Sequence, residues 1–276
     1  MSCYVLLGGK GGEVGAVKKN LQVHIPYEML RDRIDGVVQA RINPEVYLDG
    51  SSLDRAGGAE LREFGRRLAG EGLSVTVHGP FMDLSPGAVD EVVRCASVER
   101  YLQAIKAASY LGARSIVLHA DYDDRRFDDD VDMWLSQSLR TWPGVAAIAS
   151  DAGMVIAAEN IFETGPEPLK RLVEAVDLPD FGLCLDVGHL NIFSKVSTRE
   201  WLIQVGAYIK ELHLHDNNGG YDEHLAVGHG NIDFPEFFGL IKEFVADVGA
   251  SPTYTIEPHG EDLVLPAIKA VSEYLE

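Results

Sequence analysis

Short apolar runs rich in Val and Ile alternate with longer segments of helical period along most of this chain. The strand-like runs are Leu21–Ile25, Glu45–Leu48, Ser74–His78, Ser115–His119, Met154–Glu159, Phe181–Asp186, Ile209–His215 and Thr253–Glu257. The helical segments are Tyr27–Ala40, Ala59–Gly70, Ser97–Leu111, Val131–Ser150, Pro168–Val176, Thr198–Tyr208, Pro235–Val248 and Asp262–Leu275. Gly112 closes one helix before Ser115, and Pro235 suits a first helical turn after Asp233. Eight strands alternating with eight helices predict an α/β fold, a single (β/α)8 TIM barrel. A doubly wound open sheet is the second choice. The count of eight and the missing Gly-rich dinucleotide turn both favour the barrel.

The pattern shows one domain, residues 21–276, with no linker or low-complexity tract. Residues 1–20 are Gly-rich and without period, and read as a flexible leader. Their Gly8–Gly12 run lacks the GK[ST] ending of a phosphate loop and a following helix start.

Composition narrows the class. A chain of 276 residues that is 46% hydrophobic can bury one sizeable core. No apolar run is long enough for a membrane span, and the N-terminus lacks the form of a signal peptide. Cys3, Cys95 and Cys184 are few and far apart, which points to a reducing, cytoplasmic setting without disulfides. A net charge of -19 argues against non-specific nucleic-acid binding. It leaves room for a small phosphorylated substrate, since bound metal ions invert the local field. Oligomeric state, monomer or homo-oligomer, stays open.

In a TIM barrel the active site lies at the C-terminal strand ends. Those ends carry His24, His78, His119, Glu159, Asp186 with His189, then His213, His215 and Asp216, and finally Glu257 with His259. The loop after the seventh strand adds Asp222, His224 and His229. His213 and His215 share one strand face, because side chains alternate. All nine histidines fall at a strand end or in the loop beyond it, and none in a predicted helix. Core packing gives no reason for that asymmetry; a metal centre does. The candidates exceed the three or four ligands of one zinc ion and suit two or three ions. Residue types leave zinc, manganese and iron open.

These residues sit in VHGPFMDL (77–84), VLHA (117–120), AENIFETG (158–165), CLDVGH (184–189), HLHDN (213–217), DEHLAVGHGNIDF (222–234) and TIEPH (255–259). In this order they resemble the endonuclease IV and xylose-isomerase-like TIM barrels, the AP-endonuclease-type sugar isomerases. The resemblance covers residues 21–275. It implies a four-ligand site at Glu159, Asp186, His213 and Glu257, which the isomerases and epimerases use with one ion. The endonuclease IV branch adds ligands matching His78, His119, His189, Asp222 and His224, with Glu159 bridging. All nine positions are filled, so the expected activity is multinuclear zinc-dependent phosphoester hydrolysis of a small phosphorylated or sugar-like molecule. Glu159 and Glu257 are the expected catalytic carboxylates, and His24, Phe81, His215 and His229 the substrate-binding residues.

The alternative is a mononuclear sugar (phosphate) isomerase or epimerase in which Glu159 and Glu257 flank the substrate carbon. A non-enzymatic metal- or sugar-binding barrel is the third reading. DNA repair fits poorly: the acidic loop 121–130, DYDDRRFDDD, would repel a phosphate backbone. Arg125 and Arg126 in that loop read as a solvated charge run, or as contacts for a small phosphate.

Overall fold

The computed structural model describes residues 20–245, 251–257 and 260–275. The expected leader, apart from its last residue, lies outside the described residues, as does His259. Among the described residues the strands are β1 (Leu21–Pro26), β2 (Pro44–Tyr47), β3 (Thr76–His78), β4 (Ser115–His119), β5 (Val155–Glu159), β6 (Phe181–Asp186), β7 (Ile209–Leu214) and β8 (Thr253–Ile256). They form a closed barrel in sequence order. β1 pairs parallel with both β2 and β8, which rules out the open sheet.

Around the barrel run α1 (Tyr27–Gln39), α2 (Gly50–Arg55), α3 (Gly58–Gly70), α4 (Glu91–Leu111), α5 (Val131–Ser138), α6 (Trp142–Asp151), α7 (Glu167–Val176), α8 (Val187–Phe193), α9 (Thr198–Val205), α10 (Phe234–Phe244) and α11 (Glu261–Tyr274). The single helix expected over 131–150 is two, because Pro143 lacks the N–H that a continuous helix needs there and instead opens α6. The expected helix Thr198–Tyr208 ends in a 3-10 turn from Gly206. α4 starts earlier than expected, where Asp90 accepts from the backbone N–H groups of Val92 and Val93.

α2 and α8 were not expected. Both are short, and both start at an aspartate cap: Asp49 accepts from Ser52 N, and Asp186 from His189 N. α8 follows β6 directly, so His189 sits in a helical turn rather than a loop.

The strands alternate sharply. Val46, Val77, Ile116, Leu118, Ile156, Leu183, Leu185, Leu212, Leu214 and Ile256 belong to the large core between barrel and helices. Inside, the apolar content is a separate small cluster of Val117, Ala157 and Cys184. Most other inward positions are polar, and those at the strand ends meet at the C-terminal mouth. Burial of the outer face holds the barrel together, at ~25 cal/mol per Å² of apolar surface. The inner face is left for chemistry.

Candidate metal centre

Glu159 at the end of β5 is the hub. His78 Nε2 lies 3.1 Å and His119 Nε2 3.0 Å from its Oε2, and His213 Nδ1 lies 3.2 Å from its Oε1. His213 Nδ1 is also 3.4 Å from Glu257 Oε1 and 3.9 Å from Asp186 Oδ2. Glu159, Asp186, His213 and Glu257 are all buried. They come from four different strand ends, brought together because β5, β6, β7 and β8 are consecutive staves of one barrel.

Three carboxylates around one imidazole in a buried site are costly without a cation. The set fits a divalent ion: donors about 2.1 Å from a common centre stand about 3–3.4 Å apart, as Glu159 and Glu257 do from His213. Oxygen-rich sets of this kind accept manganese or iron as well as zinc.

A second cluster adjoins the first. His215 Nε2 lies 3.1 Å from both Asp186 oxygens. His224 Nε2 lies 2.9 Å and His189 Nε2 3.5 Å from Asp222 Oδ2. Seven of the nine expected metal ligands fall in the groupings His78–Glu159–His213, Asp186–His189–His215 and His215–Asp222–His224, and the other two adjoin them, His119 at 3.0 Å from Glu159 and Glu257 at 3.4 Å from His213. His215, expected to bind substrate, is instead a buried member of the second cluster.

Ring orientation is set from outside. His78 donates from Nδ1 to Gly79 O (2.8 Å), His189 to Asn160 O (2.9 Å) and His224 to Glu257 O (3.1 Å). Each then turns Nε2 toward a carboxylate, the arrangement of metal-ligating histidines. Asn160 also clasps the end of β6, donating to Asp186 O and accepting from Asp186 N. Gly188 lies so close to His215 that a Cβ there would collide with the ring.

Asp216, a candidate by position, has a different task. Its carboxylate accepts from the backbone N–H groups of Asn217, Gly228, Gly230 and Ile232, folding the β7–α10 loop over the site. Gly230 must be glycine here, since a Cβ would strike Asn217 and Asp216. His224 holds a left-handed backbone (φ 48°) in the same loop, strain that such sites tolerate when their surroundings enforce it.

A cavity of about 1240 Å³ opens over the centre. His24 and Phe81 line it as expected, with Tyr47, Met82, Phe162 and Phe193 as further walls. Tyr47 stacks on both His24 and Phe81. His229 is exposed and does not line the cavity: the loop held by Asp216 turns it to solvent. Arg126 lines the cavity, held by Asp121 and Ser85, whereas Arg125 folds back on Asp123.

Burial and charge oppose one another throughout. Burial alone would raise Glu159 and Glu257, but the surrounding histidines hold both well below the usual carboxylate range. Burial lowers His24, yet Glu257 and Glu45 outweigh it and carry it up to about 9. Likewise Asp186, Asp222 and Glu159 outweigh burial at His189, carrying it to about 10. At His119 burial prevails and the value falls. Burial pushes the Cys184 thiol well up, as suits an inert core cysteine.

Two buried carboxylates were missed from the sequence. Glu45 on β2 lies 3.4 Å from His213 Nε2 and 3.5 Å from His24 Nδ1. Glu211 on β7 accepts from Thr255 Oγ1 (2.8 Å) and Ser115 Oγ (3.1 Å). Burial and the Glu45 charge push Glu211 well above the usual range. Strand alternation was the available signal: Glu45 and Glu211 occupy inward positions two residues before Tyr47 and His213.

The family model for the xylose isomerase-like TIM barrel matches residues 45–272. This chain belongs to that family. An uncharacterized Methanocaldococcus jannaschii protein, MJ1311, is 32% identical over 211 residues, 74% of this chain and 71% of its own length. An L-ribulose 3-epimerase of Methylomonas sp. is 30% identical over 115 residues, 39% of this chain and 38% of its own. A solved D-tagatose 3-epimerase-like protein superposes with a TM-score of 0.78 at 25% identity, covering 93% of this chain and 97% of that one. No helix among the described residues is long and apolar enough to cross a membrane.

Proposed function

We propose that the protein is a divalent-metal-dependent sugar isomerase or epimerase. The observation that carries the reading is the convergence of Glu159, Asp186 and Glu257 on His213 Nδ1 at the barrel mouth. The likeness to proteins named as 3-epimerases supports it and favours it over the phosphoester hydrolysis expected from the nine ligands.

Glu159, Asp186, His213 and Glu257 would hold the ion, which when bound would supply Lewis-acid polarisation of a substrate carbonyl. Glu159 and Glu257, both ionised at neutral pH, stand on either side of His213. One removes the proton from the carbon beside the carbonyl. The other, after taking a proton from solvent, would return it to the opposite face for epimerisation or to the neighbouring carbon for isomerisation, and the first would release the abstracted proton to solvent. His24, 3.0 Å from Glu257 Oε1, orients that carboxylate. Phe81 and Tyr47 supply an apolar wall for the C–H face of a sugar, and His78 and His119 present ring nitrogens toward its hydroxyls.

A second reading rests on one observation. Asp222 with His189 and His224 forms a ligand cluster that a mononuclear isomerase does not need. It would suit a multinuclear hydrolase of a small phosphoester.

The test is solvent-isotope exchange. Metal-loaded protein is incubated with a panel of ketoses in deuterium oxide, and deuterium at the carbon next to the carbonyl is read by NMR. Incorporation with epimer or isomer formation supports the proposal. No incorporation with any ketose, together with release of phosphate or alcohol from phosphoesters, would transfer the reading to hydrolysis.

A further inference from the structure

We infer that Glu45 is a positioning residue for His213: it accepts the Nε2 proton and so commits Nδ1 to the metal. The inference rests on the proposed metal centre and deepens it.

A ligating imidazole must offer a lone pair from one nitrogen, and a neutral ring keeps its proton on the other. His78, His189 and His224 settle this by donating Nδ1–H to backbone carbonyls, which frees Nε2. His213 is turned the other way round. Its Nδ1 faces Glu159, Glu257 and Asp186, so Nε2 is the outer nitrogen. Among the described residues no backbone carbonyl accepts from it. Nε2 faces Glu45 Oε1, 3.4 Å away.

Both atoms are buried, and neither has a closer hydrogen-bond partner among the described residues; His24 Nδ1, 3.5 Å from the same Glu45 oxygen, lies nearer to Glu257 Oε1 at 3.0 Å. Leaving either unpaired costs ~1–3 kcal/mol, so each is the other's remedy. The second Glu45 oxygen is occupied: Thr76 Oγ1 donates to Oε2 (3.3 Å), while the Thr255 hydroxyl gives its proton to Glu211 (2.8 Å). That anchorage reserves Oε1 for the histidine. Placement comes from the register, which sets Glu45 level with His24 on β1 and Thr76 on β3. The result is a carboxylate–histidine–metal relay whose carboxylate comes from a strand three staves away from β7.

The test compares wild-type protein with Glu45→Leu, which removes the acceptor, and Glu45→Gln, which keeps the shape. Ring-nitrogen NMR of the zinc-loaded chain reads which His213 nitrogen keeps its proton, and cobalt titration reads affinity and stoichiometry. We expect wild type to carry the proton on Nε2. Glu45→Leu should shift the ring to a mixture of forms and weaken cobalt binding about 10–100-fold at unchanged stoichiometry. Glu45→Gln should fall between them, and it carries the test if the Leu variant does not fold. A merely structural role would lower the melting temperature and leave the tautomer and affinity alone.

Wild-type affinity and an unshifted ring in the folded variants would overturn the inference. So would loss of one cobalt per chain in Glu45→Gln, which would make Glu45 a ligand itself. If wild type took up neither cobalt nor zinc, the metal-centre reading would fail and the inference with it, whereas wild-type metal affinity in the variants overturns the inference alone.

Discussion

The ring of His215, just beyond β7, lies flat on the ring of His224 in the following loop, with centroids 3.9 Å apart and planes 9° from parallel. The stack fastens the loop that carries Asp222 and His224 to the end of the barrel. A stacked aromatic pair contributes about 0.5–1.5 kcal/mol beyond its burial. We expect His215→Phe to keep the loop closed and His215→Ala to open it, raising amide exchange across residues 218–230 roughly tenfold. Hydrogen-exchange mass spectrometry checks this; equal protection in both variants would mean that the stack is incidental.

Asp222 and His224 separate the two functional readings. Among Glu159, Asp186, His213 and Glu257, it is Glu257 that contacts His224, chiefly through its backbone carbonyl, and Asp222 is paired with His189, His215 and His224 instead, so an isomerase should tolerate their loss. We expect Asp222→Ala and His224→Ala to retain one tightly bound ion per chain and turnover within about tenfold of wild type. Activity lost by about a thousandfold or more would favour the multinuclear hydrolase.

Asp216 is buried and accepts from four backbone N–H groups of its own loop. Truncation leaves those donors unpaired. Asp216→Ala should lower unfolding free energy by ~3–5 kcal/mol, with the loop affected first. Urea denaturation followed at both global and loop probes reads the loss. A change under ~1 kcal/mol would show that water replaces the carboxylate.

Glu163, in the loop after β5, accepts from Ile161 N with one oxygen, while the other has no hydrogen-bond partner among the described residues. Burial carries it up to about 7. Its folded value lies above its unfolded value, so the folded chain holds the proton more tightly. That contribution to stability is complete below pH about 4.5 and is lost as pH rises through about 7. It amounts to about 3 kcal/mol at most. Glu163→Gln cannot ionise, and the melting temperature of the metal-free variant should fall by several degrees less than wild type's between about pH 5 and about pH 8. Parallel curves would remove Glu163 from the pH response.

Much of this was legible before any coordinates. Period-2 alternation placed the eight strands within a residue or two, because the outer face of each must be apolar to receive a helix. Polar residues at the strand ends then marked the mouth. Errors came where local chemistry outweighed period: Pro143 divided one helix, and the Asp49 and Asp186 caps began helices too short to show a periodic stripe.

What the sequence determined by itself was the barrel, its polar mouth and the kinds of ligand there, since these follow from alternation and residue type. What tertiary structure decided was pairing. His213 and His215 share a strand face, yet one joins Glu159, Glu257 and Glu45 while the other joins Asp186 and stacks on His224. Asp216 serves the loop, His229 faces solvent, and Glu45 reaches His213 across the barrel. Those outcomes depend on strand register, barrel closure and loop path, which bring residues distant in sequence within a few ångströms, and no local pattern encodes them.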